Sequence, residues 1–253
     1  MGIKKTLKKF LGYKVDSQSL TVVGVGPGDC SLLTIAAVQA IKKAKVVVFP
    51  ISSDDKKSSA AEIVKEYTKF KKKIPIIFPM ARKEFDPDEI WSNAVDIIVK
   101  SIINHDSAVL LCLGDTSLFA SSANILRIIK NNHPEITTKI IPGISSISAA
   151  AALSNFSLAI KGETLIIKEC PSNRKELVDL ISINRQQKTV LVLMKVGKRW
   201  EWVKNLLIKE DIISKSVIAL NVGMPDQIVQ EVSKFELNKV PYFSLLLMRF
   251  NND

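Results

Sequence analysis

From about residue 20 onward, short unbroken apolar runs alternate with segments of helical spacing. Leu20-Thr21-Val22-Val23-Gly24-Val25 is β-branched, apolar and stopped by glycines, which predicts a buried strand. Over residues 32–43, Leu32, Ile35, Ala36, Val38 and Ile41 recur at mostly helical spacing. Lys42 and Lys43 fall in that segment's last turn, where cations suit the helix dipole. Val46-Val47-Val48-Phe49 predicts a second strand, cut off by Pro50. A helix over 60–69, a strand over 74–78 and a helix over 88–103 follow, the last opening at Asp86-Pro87. Its apolar face carries Trp91, Val95, Ile98 and Ile102. A strand over 108–113, a helix over 121–130 and a short strand over 139–141 complete this half.

Strands that are apolar throughout, alternating with helices, point to a mainly parallel sheet covered on both faces. After the alanine run at 149–153 the pattern restarts. Strands are predicted over 163–168, 189–194, 217–222 and 243–250, with helices over 175–183 and 200–209. The expected organisation is two α/β domains, over 20–157 and 158–253, behind a basic tail over 1–19. No internal repeat or low-complexity linker interrupts it.

Composition narrows the class. Hydrophobic residues make up 47% and charged residues 24% of the 253-residue chain, which excludes a disordered or collagen-like protein. The 36 Lys+Arg against 25 Asp+Glu give a net charge of +11. Lys4, Lys5, Lys8, Lys9 and Lys14 stand against Asp16 alone in the tail. That balance favours an anionic partner without choosing among nucleic acid, acidic lipid and a polycarboxylate ligand. Residues 4–13 have the pattern of a short basic helix, but a loose tail is the simpler expectation. The three cysteines, Cys30, Cys112 and Cys170, show no paired spacing, so a reducing cytoplasmic setting is expected. No apolar run approaches the ~18 residues that would span a bilayer.

Ligands of open parallel sheets bind beyond the carboxyl ends of the strands. Three glycine turns occupy such places: Gly24-Val25-Gly26-Pro27-Gly28-Asp29, Gly114-Asp115-Thr116 and Pro142-Gly143-Ile144-Ser145-Ser146. A dinucleotide fingerprint fails in the first, because Asp29 stands where its third glycine belongs and Phe49-Pro50 where an acid should end the second strand. Pro27 has no N–H for a phosphate cradle, and there is no P-loop. The turns suit a ligand that approaches backbone closely without presenting phosphates. His105 and His133 are the only histidines and lack a second ligand at helical spacing, so no metal site is expected. Ser145 and Ser146 sit at a predicted helix start, where capping explains them, and nothing nearby makes either a nucleophile.

The first turn, followed by Leu32-Leu33-Thr34 and Ala37-Val38, resembles the opening of the tetrapyrrole methylase family. Gly114-Asp115 and Pro142-Gly143-Ile144-Ser145-Ser146 are similar to that family's second and third loops, in the same order. Later segments resemble the branch that methylates C20 of precorrin-2 in cobalamin biosynthesis. These are Leu193-Met194-Lys195-Val196-Gly197, Val222-Gly223-Met224-Pro225-Asp226 and Tyr242-Phe243-Ser244-Leu245. Cys30 and Thr116 stand where family members usually have proline. Pro50 stands where the uroporphyrinogen methylases of the family carry a catalytic aspartate.

The resemblance implies two α/β domains, the second with a mixed sheet, and a ligand cleft between them. It implies S-adenosylmethionine as methyl donor, held by Gly26, Pro27, Gly114, Asp115, Thr116, Leu118, Ser145, Ser146, Met194 and Gly223. The acceptor would be the anionic tetrapyrrole, with Lys195, Lys198 and Arg199 as contacts for its carboxylates, and neither a nucleic-acid nor a membrane partner is expected. Transfer to the electron-rich C20 would give precorrin-3A, with no metal cofactor and no assigned general base, in a homodimer. A cobalt-bearing acceptor, and methylation of ribosomal RNA as in another branch of the family, are the alternatives. A non-catalytic donor or tetrapyrrole binder is a third.

Overall fold

The structure, a computed structural model, describes residues 18–52, 57–78 and 87–250. The predicted basic segment over 4–13, and all but the end of the expected tail, lie outside the described residues. Contacts divide the chain into two compact units. One runs up to Gly26 and resumes over Cys30–Ile144; the other comprises Pro27–Asp29 and Ser145–Asp253.

The first unit holds strands β1 (Ser19–Gly24), β2 (Val46–Ile51), β3 (Lys72–Ile77), β4 (Ser107–Cys112) and β5 (Thr137–Ile141). They form one sheet in the order β3-β2-β4-β1-β5, and every pair is parallel. The connecting helices are α1 (Ile35–Lys43), α2 (Ser59–Ile63), α3 (Pro87–His105) and α4 (Ser122–Asn132). Strand residues alternate between two cores. Leu20, Val22, Val48 and Leu110 pack with Ile98 and Ile102 of α3 and Ile125 and Ile129 of α4. Val23, Val47, Val109 and Leu111 pack with Ala37 and Ile41 of α1 and Ala60 and Ile63 of α2.

Chain direction explains that division. From β1 through β2 to β3 the chain steps one way across the sheet, and from β3 through β4 to β5 it steps back. Right-handed crossovers in opposite directions must place their helices on opposite faces. The loops leaving the neighbours β1 and β4 therefore diverge, one toward α1 and one toward α4. Such a divergence marks the switch point, and the carboxyl edge beside it is where sheets of this kind bind ligands.

The helix expected over 60–69 is α-helical only over Ser59–Ile63 and gives way to a single 3-10 turn over Lys65–Tyr67, and the expectation at Pro50 is corrected as well. Pro50 does not end β2, which continues to Ile51. Phe78 N–H donates to Ile51 O from the β3 side, so Pro50 points its backbone the other way, toward β4. Pairing with β4 stops at Val48, so the missing proline N–H breaks no ladder bond.

The second unit begins with α5 (Ser146–Leu153). It continues through β6 (Thr164–Glu169), α6 (Arg174–Arg185), β7 (Thr189–Met194), α7 (Trp200–Lys209), β8 (Ser216–Leu220), β9 (Ile228–Glu231) and β10 (Ser244–Arg249). The sheet order is β6-β7-β10-β8-β9; β6 and β7 are parallel and the other pairs antiparallel, so the sheet is mixed. Leu191, Leu193, Ile218, Leu246 and Met248 pack against Leu177 and Ile181 of α6 and Trp200, Val203 and Leu207 of α7. Trp200 is fully buried, donates its Nε1–H to Leu237 O at 2.8 Å and meets Phe235 edge-on at 5.4 Å. The sequence reading missed β9, whose four residues alternate too briefly to stand out.

Candidate functional site

At the switch point, the turns after β1 and β4 are bonded to each other. Gly26 N–H donates to Gly114 O at 3.2 Å, and Gly114 N–H donates to Gly26 O at 2.7 Å. Both glycines have left-handed φ, +78° and +73°, which side chains rarely tolerate. A Cβ at Gly114 would meet nothing within 4 Å, so open space lies beside its backbone. The third turn locks onto these two. A Cβ at Gly24 would come within 2.4 Å of Gly143 N and 2.9 Å of Gly114 O, and one at Gly143 within 2.2 Å of Gly114 O. Only bare backbone fits where the three turns cross.

Asp115 ties the same crossing together. Its Oδ2 accepts Gly143 N–H at 3.0 Å, and its Oδ1 accepts Ser117 N–H at 2.8 Å and the Ser117 hydroxyl. Burial alone raises the pKa of this carboxyl. The hydrogen bonds from Ser117, Gly143 and Thr116 outweigh it and hold the group below its ordinary value of 3.8. Asp115 stands well before α4, so it closes a turn and does not cap that helix. Thr116 is buried and Leu118 half-buried beside it. Cys112, at the end of β4, is a buried thiol raised to about 11 by desolvation, which fits a packing role.

The second unit carries the remaining expected residues. Ser145 is the N-cap of α5, its Oγ accepting Ser148 N–H at 3.1 Å, and Ser146 opens the helix. Pro27 is buried, and the backbone beside it at Gly28 lies against Gly223. A Cβ at Gly28 would sit 2.5 Å from Gly223 C and 2.8 Å from Met224 N. Gly223 N–H donates to Gln227 Oε1 at 2.7 Å, and Asn221 Nδ2 to Asp226 Oδ2 at 2.6 Å, which fix that turn.

Met194 ends β7 half-buried, and Lys195 follows with φ +57°. Lys195 pairs with Glu169, and Arg199 Nη1 donates to the Lys195 carbonyl at 3.1 Å. Both cations thus help to build the turn, whereas Lys198 is exposed.

The structure therefore brings Gly26, Gly114, Asp115 and Thr116 together in the first unit, and Pro27 with Gly223 in the second. Sequence reasoning passed over Gly143 and Gly28 as contact points, and over Gln227. It also gave no role to Ser244, whose Oγ accepts Gly197 N–H at 2.8 Å. The glycines were visible as turn formers, but which backbones they admit depends on the sheet order. Among the described residues, no group of three or more His, Cys, Asp or Glu is placed to hold a metal ion.

A doubly wound parallel sheet with crossed glycine turns at its switch point, followed by a mixed sheet, defines an α/β protein of two parts. Residues 19–237 match the model of the Tetrapyrrole (Corrin/Porphyrin) Methylases, and the chain belongs to that family. It is 32% identical over 157 residues to the probable cobalt-precorrin-2 C(20)-methyltransferase of Methanocaldococcus jannaschii, covering 62% of this chain and 66% of that protein. It is 25% identical over 232 residues to the cobalt-precorrin-2 C(20)-methyltransferase of Salmonella typhimurium, covering 90% and 95%. The fold matches that of uroporphyrin-III C-methyl transferase from Thermus thermophilus complexed with S-adenyl homocysteine. That likeness has a TM-score of 0.59 and 19% identity, and covers 91% of this chain and 92% of that one.

Proposed function

We propose that the protein transfers a methyl group from S-adenosylmethionine to C20 of precorrin-2, giving precorrin-3A. Family membership and the names of the two relatives support a precorrin-2-type macrocycle as acceptor and C20 as its position. The observation that carries the donor half is the bonded pair Gly26 and Gly114 at the switch point, with open space over Gly114.

The residues present fit such a donor. Pro27 removes an N–H that a phosphate would use, and the ionised Asp115 would repel one. Gly26, Pro27, Gly114, Asp115, Thr116, Leu118, Ser145, Ser146, Met194 and Gly223 remain the proposed donor contacts. The donor supplies an electrophilic methyl group on a sulfonium.

What the chain supplies is placement. The crossed backbones of Gly24, Gly114 and Gly143 cannot move independently, and Asp115 pins Gly143 to the β4 turn. A rigid edge of this kind favours in-line positioning, which is worth several kcal/mol of barrier in transfer reactions, on the order of 7 or more. Lys198 is the proposed substrate cation with greatest exposure, because Lys195 and Arg199 are engaged in their own turn. A homodimer remains part of the reading.

The names of both relatives specify cobalt-precorrin-2, which favours a second reading in which the acceptor already carries cobalt. Incubation with ¹³C-methyl donor and, separately, precorrin-2, its cobalt complex and ribosomal RNA tests the proposal. Label at C20 of a macrocycle supports it, and the faster macrocycle decides between the two readings. Label on RNA alone, or on another carbon, refutes it.

A further inference from the structure

At the opposite edge of the first sheet, where β2 and β3 begin, an aromatic residue stands in solvent among lysines. Phe70 is 94% exposed, the most exposed of the large apolar side chains among the described residues. It is held there by a well-anchored turn. Lys71 N–H donates to Thr68 O at 3.1 Å, which places Phe70 at the tip. Thr68 is buried, and its hydroxyl bonds back to Val64 O at 3.2 Å. The Lys71 ammonium reaches the end of α1, donating to Lys42 O at 2.8 Å and Ala44 O at 2.7 Å. Those bonds satisfy carbonyls at the helix C-terminus and fasten the turn to it.

Charge surrounds the ring. Lys69 lies over Phe70 at 5.7 Å, Lys42 lies over Tyr67 at 5.5 Å, and Lys72 and Lys73 follow in sequence on the exposed start of β3. Lys42, Tyr67, Lys69, Phe70 and Lys71 line one concavity with Glu66 as its acid. Single apolar side chains are common on protein surfaces, and what sets Phe70 apart is near-complete exposure at an anchored tip among lysines. A phenylalanine ringed by lysines matches the boundary between lipid headgroups and acyl chains, where aromatic rings settle and cations meet acidic lipid.

We propose that this tip is a docking site for an anionic lipid surface, with Phe70 entering the interface and Lys42, Lys69 and Lys73 facing acidic headgroups. Charge complementarity and the outward ring favour lipid over single-stranded nucleic acid. Successive bases stack on several exposed rings, whereas at this turn Phe70 alone is exposed and Tyr67 is half-buried beneath Lys42. The strands are all parallel, so the tip lies at the edge opposite the glycine turns, and docking leaves those turns open. The proposal stands or falls independently of the methyl-transfer reading.

The test is flotation of the full chain with vesicles of neutral phosphatidylcholine and of the same lipid containing phosphatidylserine, beside a single-stranded RNA titration. The tail stays intact in every variant, so differences report the tip. Wild type should float with the acidic vesicles only. F70S should lower partitioning roughly tenfold, as expected for losing one buried aromatic ring. Lys69→Gln and Lys73→Gln should each lower it about fivefold. Circular dichroism and methyl transfer should be unchanged in F70S. Equal flotation of wild type and F70S, flotation with neutral vesicles, or tighter Phe70-dependent binding to RNA than to vesicles would each overturn the proposal.

Discussion

Gly24→Ala probes the crossing of the three turns at a single carbon. Gly24 has an ordinary strand φ, so the substitution carries no dihedral penalty and its cost is steric. The added Cβ would lie 2.4 Å from Gly143 N, 2.7 Å from Gly143 Cα and 2.9 Å from Gly114 O, all backbone atoms that cannot rotate away. Ordinary contact begins near 3.4 Å, so the Gly143 turn must retreat by about 1 Å. A shift of that size is enough to take the 3.0 Å bond from Gly143 N–H to Asp115 Oδ2 past hydrogen-bond range. Overpacking of this kind costs about 1–3 kcal/mol. Loss of a hydrogen bond to a charged acceptor adds about 1.5 kcal/mol, the low end because Asp115 is only half-buried.

Gly26→Ala is the matched comparison. Its Cβ meets nothing closer than 3.4 Å, and its φ of +78° alone costs roughly 1–2 kcal/mol. Thermal unfolding followed by circular dichroism should show Gly24→Ala losing of order 10 °C and Gly26→Ala roughly half as much or less. If Gly24→Ala melted no lower than Gly26→Ala, the turns would not be locked through backbone contact, and the argument for a rigid edge would fail.

Asp115→Asn keeps the shape of the side chain but must turn an amide nitrogen toward either the Gly143 or the Ser117 N–H, so it should destabilise by about 1–2 kcal/mol in urea unfolding. The carboxyl's folded pKa lies below its ordinary 3.8, so its stabilisation is complete above that value and fades as pH falls through the lower folded one. The gap between wild type and variant should accordingly be flat near neutrality and close below about pH 4; a gap that widened in acid would contradict the assignment. Thiol titration at pH 8 should modify one cysteine in the folded chain, Cys30, because Cys112 and Cys170 are buried and raised to about 11. Reaction of two or three thiols before unfolding would show that the cores around β4 and β7 open readily.

What the sequence revealed depended on whether the signal was local. The β7 and α7 boundaries were read to the residue, because a five-residue apolar stretch and a Trp-led helical stripe announce themselves. Pro50 was misread as a terminator, since whether a proline breaks a ladder depends on the neighbouring strand's length, which local pattern does not carry. The alanine-rich α5 shows no strong apolar stripe, so nothing in its sequence says which core it joins; contacts group it with the second unit. At the site, the glycine turns and Asp115 stood out as residues. Their crossing, and the engagement of Asp115 by Ser117 and Gly143, arise only once β1, β4 and β5 lie side by side.

The claim that a donor lies over the β4 turn has a close control in the chain itself. Gly114 and Gly162 both have left-handed φ, +73° and +85°, and an added Cβ at either would meet nothing within 4 Å. Alanine at each therefore imposes a similar left-handed strain, but only Gly114→Ala places a methyl group in the space proposed for the donor. Calorimetric titration of S-adenosylhomocysteine into wild type and the two variants makes the comparison directly. The account predicts wild-type affinity in Gly162→Ala and a loss of at least about tenfold in Gly114→Ala. Equal affinity in all three proteins would contradict it.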